Sequence, residues 1–411
     1  MPVKLDRRGL LLGAGTAALY GLGQRTAMAK SYGPGVTDTE IKLGTTSPYS
    51  GPASGFGVYG LAQSAYFEMV NAGGGINGRK INLISLDNAY NPPKALEQTR
   101  RLVESDNVFA IAGFLGTAPN TSVQKYLNAK AVPSLFLTSG AERFNDPANF
   151  PWIVPFYPTY VDQSEIYAKY ILQSRPNAKI AVQFINDDLG RDFVRGLKKG
   201  LGAAASTMII KEISHELTEP TIEHQIVELR ATGADVFCQF TTAKFAAQGI
   251  RKAGEIGWKP MYVLASVASS IGATLVPAGL DNSKGVITCR WEKIPTDPIT
   301  AADRDVKDYR AFLDRYMPRH NVEDNTTVPG YINAHMITQV LRRCGDDLTR
   351  ENLLKQATHL QRETPPMVID GIPVYNSPTD YLAYHALQLA RFNGTGWSPL
   401  GPPIAIGSGK S

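Results

Sequence analysis

Short apolar runs alternate with amphipathic helical patterns along almost the whole chain, and this alternation limits the fold more than any other feature. In the first 140 residues, strand-like runs are each followed by segments with apolar residues at i, i+3 and i+4. The predicted strands are 41–46, 79–86, 108–113 and 134–137, and the predicted helices are 58–70, 92–104 and 119–129. This pattern indicates a parallel sheet with helices on both faces, so the fold class is α/β.

A second series of the same kind follows the proline-rich segment 151–158. Its predicted strands are 179–185, 207–211, 235–240, 261–264 and 285–290, and its predicted helices are 160–172, 188–201, 221–230 and 243–255. Two series predict two doubly wound parallel-sheet lobes, each with ligand contacts at the carboxyl ends of its strands.

The end of the chain is more helical, with predicted helices at 301–316, 329–343 and 349–357 and short strands at 367–369 and 384–392. Helices that follow both sheets must pack back onto one of them, so we expect three crossings between the lobes. The expected division is 30–157 plus 292–374 for lobe 1, and 158–291 plus 375–411 for lobe 2.

The first 29 residues have the pattern of an export signal. A basic start containing Arg7-Arg8 precedes an apolar stretch at 10–22, and the small residues of a cleavage site follow at 27–29. The arginine pair resembles a twin-arginine signal. We therefore expect cleavage, a mature chain beginning near Lys30, and a periplasmic location.

Charge and composition exclude several classes of protein. The formal net charge is only +5, and much of it lies in the first 29 residues, so the remainder carries no basic patch for nucleic acid or anionic lipid. No apolar run of about 18 residues follows residue 30, which argues against a membrane span. Three cysteines and six histidines show no metal-binding spacing. We expect a monomer without metal or cofactor.

Two motifs have a catalytic interpretation beside a structural one. Gly55–Gly60 matches G-x-G-x-x-G, but it does not directly follow a strand, and Ser54 is interpreted as the cap of a helix beginning near Gly57. Asp187-Asp188 is either an acid–base pair or the N-cap and dipole partner of a helix, the commoner role. An exported NAD-dependent dehydrogenase is therefore a disfavoured alternative. With no convincing catalytic constellation, the chain is interpreted as a binding protein and not an enzyme.

Several motifs resemble those of type I periplasmic solute-binding proteins of the branched-chain amino acid (Leu/Ile/Val-binding) group. The resemblance runs from about residue 41 to 397 and rests chiefly on Ser50-Gly-Pro-Ala53 and the Gly-Gly-Ile-Asn-Gly turn at 74–78. Further matches are Asp87 with Asn91-Pro92, Thr138-Ser-Gly-Ala141, Asn186-Asp-Asp-Leu-Gly190 and Gly233-Ala-Asp-Val236. The resemblance implies two hinged lobes that close over a small ligand and deliver it to the membrane permease of an ABC importer.

The resemblance also implies a set of ligand-binding positions. It places an aromatic cleft residue at Phe56, a hydroxyl for the ligand carboxylate at Thr117, and loop contacts at Ser139, Gly140 and Ala141. In the second lobe, Leu189 and Thr241 stand where the family has tyrosines, and Phe114 is a further aromatic candidate. Glu142 stands where the family usually has threonine.

The main departure from the family is Ser266, which takes the place of the acid that holds the ligand ammonium. A dehydrated ammonium without a counter-charge loses several kcal/mol. Unless Glu142 or Asp188 substitutes, we expect no acid facing an amine, and hence an aromatic or other organic acid without an α-amino group as ligand. The alternatives are a branched-chain amino acid receptor and a ligand-sensing subunit that signals instead of transporting.

Overall fold

The computed structural model describes residues 30–407 and contains two lobes, each built on its own sheet. The predicted export signal at 1–29 lies outside the described residues. The strands are β1 (Ser31–Tyr32), β2 (Glu40–Ser47), β3 (Lys80–Asp87), β4 (Ala110–Ala112), β5 (Ser134–Leu137), β6 (Ile153–Pro155), β7 (Ile180–Ile185), β8 (Ile209–His215), β9 (Val236–Phe240), β10 (Met261–Leu264), β11 (Ile287–Arg290), β12 (Asp347–Leu348), β13 (Ala386–Phe392), β14 (Trp397–Pro399) and β15 (Ile404–Ala405).

Helices surround both sheets, as the alternation predicts. They are α1 (Gly57–Ala72), α2 (Pro92–Arg100), α3 (Thr117–Ala129), α4 (Tyr160–Ser174), α5 (Asp188–Leu201), α6 (Ala205–Met208), α7 (Glu223–Ala231), α8 (Ala243–Glu255), α9 (Val276–Ala278), α10 (Leu280–Ser283), α11 (Arg304–Tyr316), α12 (Thr327–Cys344) and α13 (Arg350–Ala357). The predicted helix 92–104 is α2, continued by a π-helical turn at Arg101–Ser105.

The first sheet is parallel, with strand order β3-β2-β4-β5-β6. Right-handed crossovers place α1 on one face and α2 and α3 on the other, because the strand order reverses between β2 and β4. The chain leaves α1 through three glycines, and Gly75 has φ +76° and would bring a Cβ to 2.1 Å from the Arg79 carbonyl oxygen. Only glycine fits this turn.

The second sheet has the order β14-β13-β11-β10-β9-β7-β8, with β15 also on β13. Strands β7 to β11 are parallel, whereas β13 is antiparallel to β11 and arrives from the last part of the chain. The chain crosses between the lobes after β6, after β11 and before β13, which confirms three crossings. The boundaries at 157, 291 and 374 stay predictions.

Two local predictions are wrong. The segment 207–211 begins in α6, because the alanines at 203–205 extend the helical path before β8. The segment 367–369 makes a single bridge from Val368 to Glu292, since Pro365 and Pro366 supply no donors before it. The edge strand β6 lies inside the proline-rich segment 151–158, where no strand was predicted.

The three cysteines of the described chain are buried and unpaired, and Cys238 and Cys289 lie in β9 and β11. Among residues 30–407, no group of three or more His, Cys, Asp or Glu side chains is placed to hold a metal ion. No helix of this part of the chain has the length and apolarity needed to cross a membrane.

Candidate functional site

A cavity lies between the lobes at the carboxyl ends of both sets of parallel strands. Its empty space is about 630 Å³ including the mouth, but the centre of a water molecule can occupy only about 70 Å³ of it, so it is narrow. We call it the cleft cavity. The first lobe contributes Phe56, Tyr59, Tyr90, Leu115, Gly116, Thr117, Thr138, Asn325, Thr326 and Pro329. The crossings and the second lobe contribute Tyr157, Tyr160, Leu189, Ser266, Val267, Ser269, Ser270, Trp291 and Glu292.

Three helices begin at this cavity. Thr117 starts α3, Leu189 is in the first turn of α5, and Thr326 is the N-cap of α12. Gly116 precedes α3 with φ +115°, and a Cβ there would lie 2.8 Å from the Tyr90 ring. Helix N-termini carry partial positive charge, which favours an anion, but the first N–H groups of α5 already donate to Asp187.

The Thr117 hydroxyl is the centre of a hydrogen-bonded group on the first-lobe wall. Its Oγ1 lies 2.8 Å from Ser139 Oγ and 3.3 Å from the Tyr160 hydroxyl, while its backbone N–H donates to the Tyr90 hydroxyl at 3.2 Å. Burial raises the pKa values of Tyr90 and Tyr160, so both phenols remain neutral donors at neutral pH. This group provides hydroxyls whose protons can turn towards a ligand oxygen.

A second pair of hydroxyls joins the hinge to the second lobe. Ser266 Oγ lies 3.4 Å from the Tyr157 hydroxyl, and burial raises the pKa of Tyr157. On the opposite wall the Tyr59 hydroxyl lies 2.6 Å from Thr138 Oγ1. Each pair has spare donor or acceptor capacity, so the cavity presents neutral polar groups on both sides.

Aromatic rings form much of the remaining wall. Tyr157 and Trp291 meet edge to face with ring centroids 4.4 Å apart, and Tyr160 stacks on Phe193 at 4.8 Å. Phe56 is partly exposed at the start of α1. Rings held in place by one another offer a rigid surface for a flat apolar ligand.

One acid, Glu292, reaches the cavity wall two residues after β11. It is only 4% exposed, and its nearest cation, Arg290, donates from Nη2 to the Glu292 backbone oxygen at 2.8 Å but lies 3.5 Å from Oε1. Burial raises the pKa of Glu292 and lowers that of Arg290. Of residues 30–407, no lysine, arginine or histidine lines the cavity.

The structure brings four of the predicted site residues together. Phe56, Thr117, Leu189 and Ser266 all line the cleft cavity, although they come from four separate elements. These four residues share one cavity, and their assignment as ligand contacts stays a prediction.

The other five predicted site residues do not line the cleft cavity. Phe114 is fully buried in the core of the first lobe, and the Thr241 hydroxyl is hydrogen-bonded at 2.7 Å to the ring of His215. Ser139, Gly140 and Ala141 lie behind Thr117 and support it from the loop after β5.

The two acids considered as substitutes for Ser266 are engaged elsewhere. Glu142 Oε2 pairs with Arg195 Nη2 at 2.7 Å, and Asp188 Oδ2 pairs with Arg143 Nη1 at 2.9 Å. Both pairs join the turn after β5 to α5, so they connect the lobes outside the cavity. The acid that does reach the cavity, Glu292, was missed, although its position just after a predicted strand end was a usable signal.

The remaining motifs take structural roles. Asp187 caps α5, accepting from the N–H groups of Leu189 at 2.9 Å and Gly190 at 3.2 Å. In the glycine motif, α1 does begin at Gly57, but Ser54 makes no side-chain cap. A Cβ at Gly60 would lie 2.6 Å from Ser47 Oγ, so this glycine lets α1 pack against the end of β2.

Comparison with known proteins agrees with this architecture. Residues 40–396 match the family model described as periplasmic binding protein. The chain belongs to the periplasmic binding protein family. A relative of this periplasmic binding protein is Leu/Ile/Val-binding protein homolog 7 of Brucella abortus, which is 26% identical over 269 residues. That match spans 61% of this chain and 66% of the relative, just under two thirds of the relative's length.

Solved structures share the fold of this periplasmic binding protein. A branched-chain amino acid ABC transporter protein from Thermus thermophilus with bound valine has a TM-score of 0.79 at 16% identity, covering 90% of this chain and 98% of that one. A solute-binding protein of an ABC transporter from R. palustris in complex with benzoate has a TM-score of 0.74 at 17% identity, covering 89% and 98%. The type I two-lobed fold expected from the sequence is thereby confirmed.

Proposed function

We propose that this periplasmic binding protein is the extracytoplasmic receptor of an ABC importer and binds a small carboxylate, an aromatic or other organic acid that lacks an α-amino group. The observation that carries the proposal is the cleft cavity itself, in which hydroxyls and helix N-termini meet aromatic walls. Export to the periplasm and delivery to a membrane permease are part of the same proposal.

The polar groups of the cavity fit a carboxylate. Thr117 and Ser266 supply hydroxyls from opposite lobes, so an anion between them is contacted by both halves. With neutral donors and the first turns of α3 and α12, the negative charge is met without a buried cation. A related fold in complex with benzoate supports this ligand class.

The apolar groups of the cavity fit a ring. Phe56, Tyr157 and Trp291 present ring surfaces within one narrow space. Aromatic contacts of this kind favour flat ligands by about 0.5–1.5 kcal/mol beyond the area they bury. Benzoate-type and phenylpropenoate acids meet both requirements.

A branched-chain amino acid is the second candidate ligand, and Glu292 is the observation that favours it. A carboxylate on the cavity wall can pair with an ammonium, and a valine-bound protein shares the fold. The partial pairing of Glu292 with Arg290 weakens this reading, because the negative charge already has a neighbour of opposite sign.

Calorimetric titration of the purified protein separates the candidates. We expect benzoate or cinnamate to bind at least about tenfold more tightly than leucine, which corresponds to about 1.4 kcal/mol. Succinate tests whether a ring is needed at all. Tighter binding of leucine than of every aromatic acid would overturn the proposed ligand class and support the amino acid receptor.

A further inference from the structure

Glu292 has an unsatisfied carboxylate oxygen in a position that the hinge holds in place. Lys293 N–H donates to the Met367 carbonyl at 2.7 Å, and Ile369 N–H donates to that of Trp291 at 2.8 Å. These bonds pin the second crossing to the third on both sides of Glu292, and a backbone bridge joins Glu292 to Val368. The backbone that carries Glu292 is therefore held beside the cavity.

The charge of this group is only partly met within the protein. Glu292 Oε2 is buried and makes no hydrogen bond to any residue of the described chain, and neither does Arg290 Nη1. Arg290 is held by the Glu292 backbone oxygen and lies 5.9 Å from the ring centre of Trp397. Buried polar atoms without partners are rare and costly, so each one in a native structure calls for an explanation.

We propose that Glu292 determines specificity by accepting a hydrogen bond from a neutral donor on the ligand, so that the preferred ligand is a hydroxy-substituted aromatic acid. The inference rests on the proposed function and adds a group to the ligand. The carboxylate of the ligand is met by Thr117, Ser266 and the helix N-termini, and the hydroxyl is met by Glu292.

The nature of the donor follows from the surroundings of Glu292. Glu292 lines both the cleft cavity and a second space that Arg290 and Trp397 also line, and the Arg290 guanidinium lies 3.5 Å from Glu292 Oε1. A ligand ammonium would bring a second positive charge to this neighbourhood, whereas a hydroxyl requires only a free lone pair. A site built to pair a hydroxyl also discriminates strongly against ligands that lack one.

Matched ligand pairs test this assignment. We expect 4-hydroxybenzoate to bind wild-type protein roughly 10- to 100-fold more tightly than benzoate, and the same gain for 4-hydroxycinnamate over cinnamate. Binding of the unsubstituted acids reports on the proposed function, and the gain from the hydroxyl reports on Glu292. Unsubstituted acids that bind with no hydroxyl gain in either pair would refute the role of Glu292 and leave the proposed function standing.

Variants of Glu292 test whether this residue causes the gain in affinity from the ligand hydroxyl. In Glu292→Leu the hydroxy-substituted and unsubstituted acids should bind equally, so that the hydroxyl gain is abolished, and Glu292→Gln, which keeps an acceptor oxygen, should retain part of the gain. The control is Glu165→Gln, which removes an acid paired with Lys199 outside the cavity and should leave the gain intact. Thermal unfolding verifies that each variant is folded. A hydroxyl gain unchanged in both folded Glu292 variants, or leucine affinity that falls with them instead, would overturn the inference.

Discussion

At the scale of single residues, the site is made of neutral hydrogen-bonding groups that support one another. Thr117 is the clearest case, because its hydroxyl contacts both Ser139 and Tyr160 while it begins α3. Glu292 is the exception, an acid among hydroxyls and rings.

Thr117→Val should weaken binding of the preferred aromatic acid about tenfold, because valine has nearly the same shape as threonine but lacks the hydroxyl donor. Calorimetry measures the change. Thr99→Val is the matched control, since Thr99 is fully buried in α2 and its hydroxyl has no partner in the described chain. Equal loss of affinity in both variants would place Thr117 outside the binding contacts.

Asp187 gives a pH-dependent prediction at the same scale. Burial raises its pKa to about 6, against the effect of its two N–H donors at the start of α5. Between the unfolded-state pKa of about 3.9 and this value the folded protein holds more protons than the unfolded chain, so the contribution of Asp187 to stability falls as pH rises through that window.

Asp187→Asn keeps the cap acceptor but removes the cost of a buried charge. We expect the variant to match wild type near pH 4 and to exceed it by about 1–2 kcal/mol above pH 6.5, measured by urea unfolding across the pH range. Asp281→Asn, at an exposed position in α10, is the control for removing an acid and should alter stability by less than about 0.5 kcal/mol. A constant difference for Asp187→Asn would contradict the assignment.

At the scale of elements, close helix packing supports the second lobe under the cavity. Helices α4 and α5 lie side by side, and Gly196 and Gly200 in α5 face α4. A Cβ at Gly196 would lie 2.4 Å from the Val161 carbonyl oxygen, and one at Gly200 would lie 2.6 Å from Ala168 Cβ. Because α4 follows the first crossing and α5 begins at the cavity, this contact positions both.

Gly196→Ala should therefore destabilise the protein by about 2–4 kcal/mol, although alanine favours an isolated helix by about 1 kcal/mol. Chemical unfolding measures the change. Gly396→Ala, in a turn with open space around its Cα, serves as the control and should alter stability by less than about 0.5 kcal/mol. Unchanged or increased stability of Gly196→Ala would show that the helices separate without cost.

At the scale of the whole molecule, the lobes touch on both sides of the cavity. On one side the pairs Arg143–Asp188 and Arg195–Glu142 join the turn after β5 to α5. On the other, Gly272 N–H donates to the Glu323 carbonyl at 2.9 Å, before α12. The structure thus has its lobes in contact, and groups outside the cavity contribute to closure.

Arg143→Gln should weaken ligand binding about two- to fivefold by removing an ion pair that exists only while the lobes touch. Raising the salt concentration should reduce wild-type affinity more than that of the variant. Arg175→Gln removes a similarly exposed ion pair within the second lobe and should leave affinity unchanged. Weakening by both variants alike would indicate a general charge effect and not lobe closure.

Much of the fold follows from local patterns. Helix α8 and strand β10 match their predicted bounds because apolar periodicity and helix-ending residues are properties of a short stretch of chain. The same alternation predicts where strands end, and so places Thr117 and Ser266 each at the carboxyl edge of the sheet in its own lobe. Phe114 and Thr241 also follow strand ends, but Phe114 is buried in the core and the Thr241 hydroxyl bonds to His215. The periodicity of the sequence does not distinguish such side chains from those that face the cavity.

The sequence by itself determined two parallel-sheet lobes, three crossings and a ligand site at the strand ends, because each of these follows from the order and period of local elements. Only the tertiary structure decided that Glu292 shares a cavity with Ser266 and Phe56, and that Glu142 and Asp188 tie the lobes together instead. These contacts join segments far apart in the chain, and their geometry depends on how two separately formed sheets meet across the hinge.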